Sequence, residues 1–396
     1  MRGPQRRWRI VHVVYSFAVG GLENVVVQLI NRLPAERFEH VALLPTTIGD
    51  FKRRITETDV RLIELHKSFG HAVACDPRIY QLPREIQPDV VHSCNLVGLE
   101  IVPLSWLDCV PLRKYAERDW DAHNPKGRSP CYRRKRKPYK PFFGHYVAVL
   151  KDLDEYLAHA VGVPAHRRFL IANGVGAHVF IPSPDGVAQA APGCRFAAGE
   201  RRMISTVGRL QAAKNQPLLV RAFVRLLELL PSARIDMCLV VARAGSLRAE
   251  MDSVMTEAHV QHLAWLAGAR DDVADILRML GRFVSLSQAE DTSCSLQEAM
   301  ASGLPVVAAT VGVTPEVVEE GIAGLLAPPD DARAMAQALW RSCTDVARAR
   351  FIFQSARLQA VKKFCIDAIV QSYERLFPGR QLDDSLRGVP GYSGQS

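Results

Sequence analysis

Residues 283–327 constrain this chain more than any other stretch. They read FVSLSQAEDTSCSLQEAMASGLPVVAATVGVTPEVVEEGIAGLLA, in which Glu290 and Glu298 flank seven residues. A short apolar run precedes the pair and reads as a strand. SLQEAMAS reads as a helix, and Pro305 to Ala309 as a second buried strand. A strand ending near Ser287, followed by a helix starting near Thr292 or Ser293, delivers Glu290 to the carboxyl edge of a parallel sheet. Open α/β sheets bind ligands at that edge. The backbone N–H groups of Thr292, Ser293, Cys294 and Ser295 then form a helix start with unpaired donors and a positive dipole end. Such a start suits a diphosphate. Glu290 is placed to accept from sugar hydroxyls, and Glu298, about two turns on, to reach a ribose. Two glutamates at this spacing are by themselves more often plain surface residues. The flanking strand–helix–strand pattern is what favours a ligand site.

GRLQAAKNQ is a second signal. Gly208 ends a strand, and Arg209 and Lys214 follow five residues apart. A departing diphosphate gathers negative charge, and two cations held on it lower that barrier without a metal. As a bare pair they would be ordinary surface charge; their place between a strand and a long helix favours the functional reading. Gly20-Gly21-Leu22-Glu23 is a third, weaker signal. Two glycines at a helix start let backbone approach a ligand closely.

The length, 396 residues, suits two domains, and 48% hydrophobic residues suffice for two cores. No apolar run reaches the ~20 residues of a membrane span. MRGPQRRWRIVHVV reads as a first strand and not as a signal peptide. Nine cysteines without a C-x-x-C pair point to reduced thiols in the cytosol, and no zinc pattern is present. His12, His92 and His145 lie on strand-like runs and read as structural residues. The net charge is +9, and residues 113–140 hold eleven Lys/Arg against three Asp/Glu. A basic run such as 128–140 fits an anionic membrane surface or a phosphate-bearing acceptor. A solvated face is the plain alternative, and nucleic acid is not the expected partner.

Strand patterns fall at Arg9 to Tyr15, His40 to Pro45, Asp89 to Ser93 and His145 to Leu150. They recur at Met203 to Val207, Asp236 to Ala242, Phe283 to Ser287 and Pro305 to Ala309. Amphipathic helices are predicted at Leu22 to Leu33 and Pro217 to Leu230. This alternation implies an α/β protein with parallel sheets. The expected organisation is a first domain over 1–180, a Pro/Gly/Ala-rich linker over 181–194 and a second domain over 195–366. A helix over 367–378 returns to the first domain, and a tail, 379–396, is expected to be mobile.

The Glu290/Glu298 region, the Arg209/Lys214 element and the glycine loop together resemble family 4 retaining glycosyltransferases. IVHVVYSFAVGGLENVVVQLINRLP, VHSCNLVGLE, YVAVLKDLDEYL and EAMASGLPVVA are similar to sugar transferases of exosortase/PEP-CTERM exopolysaccharide systems. The resemblance implies the GT-B architecture: two Rossmann-like parallel-sheet domains facing a central cleft. It implies a nucleotide-diphosphate sugar donor, a saccharide or polyprenyl-linked acceptor, no metal or other cofactor, and a cytoplasmic enzyme at the inner membrane.

By that resemblance Arg209, Lys214 and Glu290 are catalytic. Gly20, Gly21, Thr292, Ser293, Cys294, Ser295 and Glu298 bind the donor, with Leu266 and Arg270 beside the base. Asn95, Glu117, Arg118 and Asn173 lie on the acceptor side. The chain departs from the family pattern at four places. Tyr115 to Asp119 matches a loop that usually carries two histidines, with Arg118 at the position of one. Arg243-Ala244-Gly245-Ser246 replaces Gly-Asp-Gly-Pro, Asp291 replaces a glycine, and Gly176 an aspartate. These changes motivate an alternative, a non-catalytic homologue that binds nucleotide or glycan as a scaffold. A sugar-nucleotide epimerase of the same architecture is a third reading.

Overall fold

The computed structural model describes residues 6–17, 21–66, 77–118, 129–183, 189–197, 199–288 and 294–379. The chain forms two units, residues 1–174 with 366–396, and residues 175–365. The chain passes between the units where Val175 bridges Cys365 in parallel and donates to the Phe364 carbonyl at 2.8 Å. This pairing puts the segment 181–194 inside the second unit, not between the two.

In the first unit the strands are β1 (Trp8–Val13), β2 (Phe38–Leu44), β3 (Val60–Glu64), β4 (Val90–Cys94), β5 (Leu112–Glu117), β6 (His145–Ala148) and β7 (Arg168–Leu170). They form one sheet in the order β3-β2-β1-β4-β5-β6-β7. Every pairing is parallel. The helices are α1 (Gly21–Arg32), α2 (Leu82–Ile86), α3 (Val102–Leu107), α4 (Pro130–Arg136) and α5 (Lys151–Glu155). In α1 the run Val25 to Val27 with Leu29 and Ile30 is buried against Ile10, Ala42 and Val90 of the sheet.

The second unit repeats this grammar. Its strands are β8 (Arg202–Val207), β9 (Met237–Ala242), β10 (Ala264–Gly268), β11 (Arg282–Ser285), β12 (Val306–Ala309) and β13 (Gly324–Ala327). The order is β10-β9-β8-β11-β12-β13, again parallel throughout. The helices are α6 (Gln216–Leu229), α7 (Ala233–Asp236), α8 (Arg248–Glu257), α9 (Val273–Met279), α10 (Cys294–Ala301), α11 (Thr314–Val317), α12 (Ala332–Thr344) and α13 (Val346–Lys363). Phe223, Leu226, Met335 and Leu339 of α6 and α12 fill one core with Leu239 and Val307. Helix α14 (Ile366–Leu376) belongs to the first unit. Its Ile369, Tyr373 and neighbouring Phe377 join the α1 core, and Arg32 pairs with Asp367 at 2.9 Å. Among the described residues no helix is long and apolar enough to cross a membrane.

Residues Tyr115–Glu117 differ from expectation, and Asp119 lies outside the described residues. Tyr115, Ala116 and Glu117 are the end of a central strand, not a loop. LRKYAE looks too polar for such a strand, yet Lys114 and Glu117 are buried. Buried charge requires a partner, and both have one, as shown below.

Candidate functional site

Both sheets have one point where strand order reverses, between β1 and β4 and between β8 and β11. Loops leaving the carboxyl ends there diverge and leave room for a ligand. Of the sequence-derived candidates, Gly21 and Asn95 follow β1 and β4, and Arg209 and Lys214 follow β8, while Glu117, Arg118, Asn173, Leu266 and Arg270 lie on or after other strands.

In the second unit, Arg209 and Lys214 lie between β8 and α6. Arg209 is exposed, and among the described residues its guanidinium takes no ion-pair partner. Lys214 is half-buried and closes a short 3₁₀ turn over Ala212–Lys214. Asn215 follows with φ +47°, a left-handed conformation that asparagine tolerates. Neighbouring loops hold this turn. Gln288, after β11, donates its N–H to the Ala213 carbonyl at 2.8 Å. Asp330, after β13, accepts from Asn215 Nδ2 at 2.7 Å and Gln288 Nε2 at 2.9 Å. So the backbone two residues before Glu290 is tied to the loop that carries Lys214. Glu290, Thr292 and Ser293, with Asp291, lie outside the described residues, as does Gly20 in the first unit. Cys294 and Ser295 open α10, and Glu298 lies one turn on; all three are half-buried.

The loop after β9 is joined to the same edge. Leu210 bridges Gly245, and a Cβ on Gly245 would meet the Leu210 carbonyl oxygen at 2.2 Å. Only glycine fits there. Arg243 adopts φ +114°, in the region that favours glycine, and donates its N–H to Gly268 at 2.6 Å. The backbone thus keeps a glycine-type conformation under an arginine side chain, at a cost of about 1–3 kcal/mol. Leu266 lies on β10, one strand further out. Arg270 is engaged by Asp272 at 2.8 Å and by the Pro192 carbonyl at 2.9 Å. Leu266 and Arg270 therefore stand apart from the Lys214 turn, across β9.

In the first unit, Gly21 opens α1, and Asn95 follows β4 with φ +54°. Asn95, Arg118 and Asn173 come together. Asn95 Oδ1 accepts the Arg118 N–H at 2.8 Å. The Arg118 guanidinium donates to Asn173 Oδ1 at 3.0 Å and to the Tyr373 hydroxyl at 2.6 Å. Arg118 is buried. At the position expected to face an acceptor, its backbone N–H instead holds Asn95 after β4, and its side chain ties the ends of β5 and β7 to α14. Glu117 points elsewhere. It holds Arg136 by two bonds, at 2.7 and 2.8 Å, and accepts from Tyr115 at 2.8 Å. Arg136 is thereby withdrawn from the basic run 128–140. Arg134, Lys135 and Lys137 remain exposed there.

Beneath this edge runs a polar row, buried at His12, His92 and Lys114 and half-buried at His145. His12, His92, Lys114 and His145 are register partners across β1, β4, β5 and β6. His12 Nδ1 and His92 Nδ1 are 3.0 Å apart, and His12 Nε2 lies 3.1 Å from His40 Nδ1. Lys114 Nζ contacts His145 Nδ1. Each histidine contact needs one proton, so the rings are held neutral in one of two concerted tautomer sets. Burial lowers His40 to about 4, and Lys114 to about 8. Burial, with the other histidines and Arg118 close by, holds His12 well below its ordinary value. In the unfolded chain His12, His40 and His92 charge near pH 6.5, while the fold keeps all three neutral to lower pH. Stability is therefore fully present above pH 6.5 and falls as pH drops toward 4, by about 1.4 kcal/mol per pH unit for His40 alone. Urea unfolding of the first unit is expected to show this slope, and His40→Gln to flatten it.

The sequence pointed neither to Tyr373 nor to the pairing of Arg136 with Glu117 as part of these sites, whereas it did mark Arg243 at a glycine position of the family pattern. The only cue to the first two was a charge, Arg118 or Glu117, inside a buried strand end.

Two family models match the chain. One described as Glycosyltransferase Family 4 covers residues 19–179, and one described as Glycosyl transferases group 1 covers 201–345. The N-acetyl-alpha-D-glucosaminyl L-malate synthase of Bacillus anthracis is 25% identical over 183 residues, 46% of this chain and 47% of that protein. The D-inositol 3-phosphate glycosyltransferase of Kribbella flavida is 34% identical over 183 residues, 43% of this chain and 42% of that protein. The chain thus spans about half the length of the curated relatives it matches, or somewhat less. Among solved structures, Anabaena Alr3699/HepE in complex with UDP and glucose superposes with a TM-score of 0.79 at 18% identity, over 94% of this chain and all of that one. At that identity the likeness establishes the fold. Sheet order and the structural likeness agree on the fold: the chain has the GT-B architecture of two Rossmann-like parallel-sheet units, with a first part that matches the Glycosyltransferase Family 4 model and a second part that matches the Glycosyl transferases group 1 model.

Proposed function

We propose that this protein is a retaining glycosyltransferase that moves a sugar from a nucleotide-diphosphate donor to a lipid-linked saccharide in exopolysaccharide or cell-surface glycan synthesis. The observation that carries the reading is the Lys214 turn, fixed at the β8/β11 reversal by Gln288 and Asp330. A cation on a rigid loop at a strand-order reversal is placed to stabilise a leaving diphosphate. The Anabaena structure holds UDP and glucose, and the Kribbella relative is named a glycosyltransferase, which supports a sugar-nucleotide donor.

In the proposed reaction the bond from the anomeric carbon to the diphosphate oxygen breaks. A bond to the acceptor oxygen forms on the same face, and the acceptor proton passes to the departing phosphate. Arg209, Lys214 and the amides at the start of α10 take the diphosphate charge, Glu290 orients the sugar and Glu298 the ribose. No metal takes part in this scheme. The first unit takes the acceptor, and its basic run 128–140 meets an anionic membrane surface. Burial of Arg118 favours one second reading, a scaffold that binds nucleotide without transfer, because no titratable side chain then stands at the usual histidine position.

Calorimetry with UDP, GDP and ADP on the wild type and on Glu298→Ala tests the site. Saturable binding of one nucleotide, weakened about tenfold or more in the variant by loss of a charged hydrogen bond, is expected. Binding with no turnover of any sugar nucleotide would select the scaffold reading. No binding of any nucleotide would remove both.

A further inference from the structure

Residues 332–363, covering α12 and α13, hold seven cations and one acid, Asp345. Among the described residues none of these seven cations pairs with a carboxylate, although arginines elsewhere in this unit do. The same stretch exposes five large hydrophobics: Trp340, Val346, Phe351, Leu358 and Val361. Phe351 and Leu358 are 53% and 72% exposed.

Three of these five, Phe351, Leu358 and Val361, line up on α13. Ile352, Ala356 and Ala360 are buried. The opposite side carries Ala347, Phe351, Gln354, Leu358 and Val361, spaced alternately by four and three residues. That spacing lines them along one stripe about 20 Å long. Arg350 and Lys362 lie about 60° round the helix on either side of it. α13 has no acidic residue. Exposed Phe351, Leu358 and Val361, with Gln354 among them and a cation on each side, offer an anionic lipid surface both apolar and electrostatic contact. A plane of lipid phosphates meets both flanks at once, while the apolar side chains enter between them and the long basic side chains reach outward.

We infer that the outer face of α13 docks on an anionic phospholipid surface. This site is separate from the donor loop and from the basic run of the first unit. α13 also packs against α10, the helix that carries Glu298. Docking would therefore place the lipid surface one helix away from the donor loop.

The test is co-sedimentation of the full chain with vesicles of phosphatidylcholine alone and of phosphatidylcholine mixed with phosphatidylglycerol. Binding to the mixed vesicles only is expected. Each cation contributes about a fivefold gain near such a surface, so Arg350→Gln with Lys362→Gln lowers partitioning roughly 30-fold. Phe351→Ser with Leu358→Ser also lowers it, and both pairs leave nucleotide binding and the melting temperature unchanged, because all four side chains are exposed. Partitioning that survives both pairs but is lost in Arg134→Gln with Lys135→Gln would assign the lipid contact to α4 and overturn the proposal. Absence of vesicle binding, with saturable binding of polyglutamate instead, would assign the face to an acidic protein and overturn it equally.

Discussion

Replacing Lys214 by alanine is expected to lower sugar transfer and donor hydrolysis by about 100- to 1,000-fold, the usual cost of removing one group that stabilises transition-state charge. The fall should be in kcat and not only in KM, because leaving-group charge grows as the glycosidic bond breaks. The variant should keep its fold. The turn over Ala212–Lys214 is held by backbone and neighbouring bonds, among them Lys214 N–H to the Gln211 carbonyl at 2.8 Å and Gln288 N–H to Ala213 at 2.8 Å. Neither uses the ammonium. Initial rates with the nucleotide sugar picked out by calorimetry, beside a melting curve, provide the check. Turnover within about threefold of wild type would remove Lys214 from the mechanism.

The second large effect concerns stability. Glu117→Ala is expected to destabilise the first unit by about 3–5 kcal/mol, because it strands the buried Arg136 guanidinium. Side-chain exposure in this pair is 4% for Arg136 and 1% for Glu117, so water cannot replace the lost carboxylate. Tyr115 loses its acceptor in the same step. Replacing both partners, Glu117→Leu with Arg136→Met, should recover much of the loss, since the desolvation cost of two charges disappears with their attraction. Urea unfolding of the three proteins measures this directly. A single-variant loss under about 1 kcal/mol would show that the pair is wet in solution.

Glu117 and Arg118 also mark where the sequence stopped being readable. Pro305 to Ala309 is a continuous apolar run, as befits a strand buried on both faces, and Met203 to Val207 is interrupted only by the small side chains of Ser205 and Thr206; both strands lie where the pattern put them. β5 hides because Lys114 and Glu117 are charged, and their partners come from other strands or from α4. β3, β7, β10 and β13 are the sheet edges; each is only three to five residues long, and none was read from the sequence.

The sequence by itself determined the α/β alternation, the parallel sheets and the loops bearing Arg209, Lys214 and Gly21. These depend on local periodicity and on glycine and charge placement along the chain. Only the tertiary structure decided that Arg118 is a buried tie to Tyr373, some 255 residues away, that Arg136 is withdrawn from the basic run, and that four polar side chains line up across β1, β4, β5 and β6. A side chain's role there depends on which distant groups satisfy its charge. That pairing is set by sheet order and register, which no local stretch of sequence contains.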